Sequence, residues 1–262
     1  MSVLLKAEAV SRRYRMPRQA LFAVPPMLTA VNGVNLTLDR GQTLGIVGES
    51  GSGKSTLARM VMGFERPDEG RILFEGRDLN ALSARELRRT RQHFQMVFQD
   101  PFGSLDPRRT AGWSIAEPLR VVGSLDRAGI ARRVDEVLEQ VGLRAGDAGK
   151  YPHEFSGGQR QRIAIARAIS TRPALLVADE AVSALDVSVQ AQILNLLMDM
   201  QEELSLGILF ISHDLAVVAS ICDRILVMRH GDVLEAGDAR AVLANPRHDY
   251  TRSLLTASGI SA

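Results

Sequence analysis

The chain has 262 residues, 45% hydrophobic and 24% charged, with 32 basic against 30 acidic side chains and a formal net charge of +2. That length fits one or two domains with a substantial core, and the composition excludes a disordered tail, a collagen-like rod and a low-complexity linker. The small net charge gives no ground for nucleic-acid binding, and the single cysteine, Cys222, excludes a disulfide-built scaffold and reads as a small packed side chain.

Residues from about 3 to 47 read as strands. Val3–Val10 is one, and Val34, Leu36 and Leu38 alternate with Asn35 and Thr37 in the period of a half-buried strand. Between them Arg15–Met27 carries Pro17, Pro25 and Pro26 and reads as a loop, because proline removes ladder donors. Leu44–Val47 is a short apolar strand ending in a glycine-rich turn, and a helix follows from Lys54 to about Gly63. Arg85, Arg88, Arg89 and Arg91 make a basic cluster that reads as a solvated helix face or as a contact for an acidic partner or lipid surface.

From about 100 to 157 strand signals vanish. Val134, Val137, Leu138 and Val141 recur at helical spacing, with Gly142 as the stop, so this stretch reads as a helical insertion. After it come helix 158–171, strand Ala174–Ala178, helix 188–204, strand Ile208–Ile211 and helix 215–221. Strands Ile225–Met228 and Val233–Ala236 follow, joined by a turn at His230–Asp232. Alternating strands and helices predict an α/β fold with a largely parallel central sheet. No apolar run approaches the ~18–20 residues that span a bilayer. The first residues are too short an apolar stretch for a signal peptide, so a cytoplasmic location is expected, with any membrane work done through partners.

Gly48-Glu49-Ser50-Gly51-Ser52-Gly53-Lys54-Ser55 fits G-x-x-x-x-G-K-[ST], after a strand and at the start of a helix, as a phosphate-binding loop requires. Glycines let backbone N–H groups turn inward, and the helix N-terminus adds unpaired donors and a positive dipole end. Lys54 supplies charge for β- and γ-phosphates, and the Ser55 hydroxyl is a magnesium ligand. Strand Ala174–Ala178 runs into Asp179-Glu180, which places two carboxylates at the carboxyl end of a buried strand, the edge that faces the ligand crevice in parallel sheets. Asp179 is expected to hold magnesium, and Glu180 to orient or deprotonate an attacking water. No asparagine begins N-K-x-D, so an adenine nucleotide is preferred over guanine.

Phe155-Ser156-Gly157-Gly158-Gln159 precedes another helix and makes a second anion-binding N-terminus. This stretch resembles the signature motif of ABC-type ATPases, with Phe155 for the usual leucine. Gln99 in Met96–Pro101 resembles the Q-loop glutamine, which binds magnesium and senses the transmembrane partner. Ser183–Asp186 resembles the D-loop, His213 the switch histidine on the γ-phosphate, and Tyr14 the aromatic that stacks on adenine. The resemblance covers about 3 to 257. Met96–Pro101 with Ser104–Arg108, Ala181–Gln192 and Asn245–Arg252 resemble the peptide/nickel importer branch, with Asp249 where proline is common.

The resemblance implies a P-loop NTPase (RecA-like) core with a mainly parallel sheet, an N-terminal antiparallel β subdomain and a helical insertion. The core is expected over 1–98 and 159–240, the helical subdomain over 99–158, and a short C-terminal segment over 241–262. The implied ligands are ATP and Mg2+. The nucleotide is expected on Tyr14, Gly48, Glu49, Ser50, Gly51, Ser52, Gly53, Lys54, Ser55, Thr56, Gln99, Ser156, Gly157, Gly158, Gln159 and Asp186. The metal is expected on Ser55, Gln99 and Asp179, and catalysis on Glu180, His213 and Lys54.

The implied function is the ATP-hydrolysing motor of a bacterial importer for di- or oligopeptides, peripheral at the cytoplasmic face of the cell membrane. Its partners are a second ATPase subunit, two membrane permease subunits and, indirectly, an extracytoplasmic solute-binding protein. An importer for nickel or another small solute, and an accessory ATPase of a soluble phosphonate C–P lyase complex, are the alternatives. With no cysteine-rich extension, no iron–sulfur cluster is expected.

Overall fold

The computed structural model describes residues 2–18 and 25–258. It divides into two compact units, Met1–Arg88 with Leu209–Ala262, and Arg89–Ile208. In chain order the elements are β1 (Val3–Arg15), β2 (Met27–Asp39), β3 (Thr43–Val47), α1 (Lys54–Val61), β4 (Glu69–Phe74), β5 (Arg77–Asp78) and α2 (Ala84–Thr90). Next are β6 (Phe94–Val97), α3 (Pro101–Ser104), α4 (Ala111–Val122), α5 (Arg127–Gln140), α6 (Gly157–Ile169), β7 (Leu175–Asp179), α7 (Val187–Leu204) and β8 (Gly207–Ser212). The chain ends with α8 (Leu215–Ile221), β9 (Arg224–Arg229), β10 (Asp232–Asp238), α9 (Ala239–Ala244) and α10 (Asp249–Ala257).

In the first unit β1 pairs antiparallel with both β2 and β4, giving the order β2-β1-β4-β5. Leu5 lies opposite Leu38, Ala7 opposite Leu36 and Val10 opposite Val34, and all six are buried. Ala9, with a φ of 48°, sits in the register shift between Ala7 and Val10, a bulge that re-aims the strand. The loop expected over Arg15–Met27 is shorter than its limits, because Arg15 and Met27 are themselves paired strand residues. The polar end of β1 is held by charge. Asp68 accepts the Arg13 N–H and the Arg12 guanidinium, and the Arg13 guanidinium donates to Glu69. Residues 19–24 of that loop lie outside the described residues.

The same unit holds the strand order β10-β9-β3-β8, counting β8 from Leu209 on. β3 is buried throughout and runs parallel to β9, with Val47 opposite Val227. α8 packs so close to β3 that a Cβ on Gly45 would stand 2.6 Å from Val218 Cγ1 and 2.8 Å from Cys222 Sγ. Cys222 is therefore the packed side chain expected of it, and burial raises its thiol pKa far above the ordinary value.

In the second unit β6 runs parallel to β7, with Val97 opposite Ala178. Of the stretch from about 100 to 157 expected to be helical, 101–104, 111–122 and 127–140 are α-helix and 141–156 holds only short 3-10 turns; Thr110 and Asp126 cap α4 and α5 with their side chains. α6 turns Ile163, Ile165 and Ile169 into the core. Arg133 of α5 is buried where α6 ends. Its guanidinium donates to the carbonyls of Ser170 (2.9 Å) and Ile169 (3.1 Å), which a helix C-terminus leaves without intrahelical partners. Burial lowers the Arg133 pKa, and the nearby Glu136 carboxylate opposes that shift.

Candidate active site

The phosphate loop is built in the first unit, between β3 and α1. Gly48 leaves the sheet where no larger residue fits, since a Cβ there would stand 2.1 Å from the Met228 carbonyl oxygen. Gly53 precedes α1 in the left-handed region at φ 105°, and its missing Cβ would stand 2.1 Å from the Ala30 carbonyl oxygen. α1 has no side-chain cap and no acidic residue in its first turn. The positive end of the helix dipole thus carries no side-chain cap from the residue before α1.

Lys54 is buried and lies across the loop, its Nζ donating to the carbonyls of Gly48 (2.6 Å) and Glu49 (2.8 Å). The Ser52 hydroxyl is buried and lacks a hydrogen-bond partner. A Cβ on Gly51 would meet nothing within 4 Å, and Ser50 and Ser55 are exposed. An inward ammonium, an orphaned hydroxyl and an uncapped helix start fit a polyphosphate anion.

Two other expected residues share this unit. His213 follows the last residue of β8, and Asp214 behind it caps α8 by accepting the N–H groups of Ala216 and Val217. The histidine is therefore exposed on a backbone fixed from both sides. Tyr14 is half-buried near the end of β1. Its hydroxyl donates to the Glu65 carboxylate, and the Arg12 guanidinium lies 5.0 Å from its ring centre. Burial pushes the Glu65 pKa up, but the Tyr14 hydroxyl, Arg59 and Arg12 outweigh that and hold it below the usual value.

The second unit carries the remaining residues. Because Val97 lies opposite Ala178 in parallel strands, the chain leaves β6 toward Gln99 and β7 toward Asp179-Glu180 at the same sheet edge. Gln99 is exposed, and both acids are half-buried. Glu180 has a φ of 50°, which is unusual for a residue with a side chain, and its carbonyl accepts both the N–H (3.1 Å) and the hydroxyl (3.0 Å) of Ser183. The turn that fixes Glu180 is thus made by the following segment.

The Ser156–Gln159 segment forms a capping box at α6. Ser156 Oγ accepts the Gln159 N–H, and Gln159 Oε1 accepts the Ser156 N–H. A Cβ on Gly158 would stand 2.4 Å from Val189 Cγ1, so this glycine lets α6 and α7 start against each other. Asp186 caps α7 by accepting the Val189 N–H and the Ser188 hydroxyl, which hold its pKa below the usual carboxylate range. The structure therefore brings Ser156–Gln159 and Ser183–Asp186 together, as it does Gln99 and Asp179-Glu180.

One residue at the loop escaped the sequence analysis. Tyr250, far along the chain, accepts a hydrogen bond from the Glu49 N–H. The surrounding Asn245–Arg252 motif was the available signal, but motif spacing cannot say what a side chain touches.

A family model described as "ABC transporter" matches residues 31–183. The chain is 49% identical over 255 residues to "Glutathione import ATP-binding protein GsiA" of Salmonella paratyphi A, covering 97% of this chain and 41% of that one. It is 48% identical over 257 residues to "Probable peptide ABC transporter ATP-binding protein y4tS" of Sinorhizobium fredii, covering 98% and 73%. The chain thus spans about two fifths of the glutathione-import relative. Among solved structures it resembles the dimeric post-hydrolysis state of the ATP-binding cassette MJ0796 bound to ADP and Pi, with a TM-score of 0.79 and 30% identity over 90% of this chain and 99% of that one. A loop whose geometry fits an anion, a family model over more than half the chain and a match to y4tS over 98% of this chain and 73% of that one lead to one conclusion: the chain belongs to the ABC transporter family of ATP-binding cassettes.

Proposed function

We propose that this chain is the ATP-hydrolysing motor subunit of an ABC importer for small peptides, either di- and oligopeptides or a peptide such as glutathione. The observation that carries the ATPase reading is the cradle itself: Lys54 held across the loop, the buried Ser52 hydroxyl and the uncapped start of α1. The solute class is supported by the names of the glutathione-import and peptide-transporter relatives.

In this reading the Gly48–Thr56 loop, through backbone N–H groups other than that of Glu49, and the Lys54 ammonium hold the β- and γ-phosphates, and Tyr14 stacks on adenine. Ser55, Gln99 and Asp179 hold Mg2+, which supplies charge neutralisation of the phosphate oxygens when bound. Glu180 accepts the proton of the attacking water as its oxygen adds to the γ-phosphorus and the bond to the β-phosphate oxygen breaks. Lys54 and His213 offset the negative charge that builds on the γ-phosphoryl oxygens. Ser156–Gln159 and Asp186 face the nucleotide of a second ATPase subunit. Loss of the γ-phosphate then removes a contact that favoured the closed pair, a ligand-driven population shift. Two permease subunits hold the motor at the cytoplasmic face of the membrane, and a solute-binding protein delivers the peptide to them.

Steady-state ATPase assays and ATP-binding titrations test the site. Glu180→Gln is expected to cut turnover by about 10²-fold or more while retaining ATP binding, and Lys54→Ala to lose binding itself. Near wild-type turnover in the first would overturn Glu180 as base, and unchanged affinity in the second would overturn the phosphate site. Capture from detergent-solubilised cells tests the assembly. Multispanning membrane proteins and a second ATPase are expected, and capture of soluble enzymes alone would overturn the importer.

A further inference from the structure

The C-terminal segment reaches the phosphate loop. The Glu49 N–H donates to Tyr250 Oη at 3.1 Å, across 201 positions of sequence. Tyr250 is 4% exposed, and the Arg229 guanidinium lies 4.6 Å from its ring centre. Burial raises the phenol pKa, so the group stays neutral at physiological pH.

The helix that carries this tyrosine is itself pinned. The Glu235 carboxylate of β10 accepts the N–H groups of Arg247 (2.9 Å) and His248 (3.2 Å). His248 Nδ1 caps α10 by accepting the Tyr250 N–H at 3.0 Å, and Arg252 Nη1 donates to the Pro246 carbonyl at 2.8 Å. Tyr250 therefore presents its hydroxyl from a fixed base.

The loop has a second brace on the β9–β10 side. The Gly231 N–H donates to the Ser52 carbonyl at 3.0 Å, and the Met228 carbonyl packs against Gly48. Arg229, between those two contacts, is the residue stacked on Tyr250. The loop is thus held at its first peptide by Tyr250 and at its turn into α1 by Gly231. A loop fixed in one conformation loses less entropy on binding, and that difference appears in affinity.

We infer that Tyr250 is a positioning residue for nucleotide binding, through which the segment Asn245–Leu255 sets the first peptide of the phosphate loop and raises its affinity for ATP. This rests on residues 48–56 being the nucleotide site. Tyr250→Phe removes only the hydroxyl and keeps the ring under Arg229. Two readouts test it in the full chain: backbone amide hydrogen exchange, and titration with AMP-PNP and magnesium.

In Tyr250→Phe the Glu49 amide is expected to exchange at least tenfold faster, with the amides of α10 within about twofold of wild type. The Kd for AMP-PNP is expected to rise roughly three- to tenfold, the scale of one net hydrogen bond. A wild-type Glu49 exchange rate, or an unchanged Kd, overturns the inference. So does faster exchange spread over all of α10 with a fallen Tm, which would make Tyr250 a packing residue. Lys54→Ala separates the two layers. If wild type and Lys54→Ala bind AMP-PNP alike, the nucleotide site itself fails; if Lys54→Ala alone loses binding and Tyr250→Phe matches wild type, only the positioning role fails.

Discussion

Gly48 stands where β3 hands the chain to the phosphate loop, and its surroundings leave no room for a methyl group. The obstructing atom is a backbone oxygen, that of Met228, so a rotamer change cannot relieve the clash. Gly48→Ala must instead displace the start of the loop from β9. We expect it to cost about 1–3 kcal/mol, the usual range for overpacking, and to weaken AMP-PNP binding more than tenfold. A Tm lowered by several degrees with an unchanged far-UV CD spectrum would accompany that loss; wild-type affinity would show that the loop tolerates a shift. The glycine, the lysine and the serine hydroxyls were legible as a pattern of residue types. The pattern does not reveal that Lys54 lies over the carbonyls of Gly48 and Glu49, or that the Glu180 backbone is held in the left-handed region by Ser183. Those are properties of the folded turn.

The helix starts after Ser156, Asp186 and Asp214 were read to within a residue, because the capping atom is local, whereas those after Thr110 and Asp126 were not placed. Thr110, Asp126, Ser156, Asp186 and Asp214 all cap the helices that follow them. β6 is the contrary case. Phe94–Val97 has four residues and no clear alternation, and its strand character comes from the ladder with β7. α10 was also missed, since its N-cap is a histidine and its anchor is Glu235 on another element.

That anchor is sensitive to pH. Burial pushes the Glu235 pKa up, but the N–H groups of Arg247 and His248 help bring it below the ordinary value of 4.5. A carboxylate depressed on folding contributes stability that is present above the unfolded pKa and lost as pH falls through the folded one. The contribution of Glu235 to the docking of α10 is therefore expected to be present above about pH 4.5 and to be lost as the pH falls below that. Amide exchange within α10 measured against pH checks this, with Glu235→Gln expected to flatten the acid dependence. A wild-type profile in that variant would contradict it.

For the molecule as a whole, a ligand that binds only the folded state must raise its stability, by about 2.7 kcal/mol at a hundred times its Kd. Mg-ATP at that ratio should raise the Tm of Glu180→Gln by roughly 5–10 °C and leave that of Lys54→Ala unmoved. Equal shifts in both would place the bound nucleotide away from the loop. At this scale the α/β class, the helical stretch and the family were carried by the sequence, because alternating periods, caps and the G-x-x-x-x-G-K-S spacing are local features of composition and order. The length of β1 was decided by its pairing with β2 and β4 and by Asp68 and Glu69, which hold the arginines at its end. The support of the phosphate loop by Tyr250 and Gly231 was likewise decided only by the tertiary structure. Hydrogen bonds between residues some 200 positions apart exist only once the chain has folded, and no local spacing of residues encodes them.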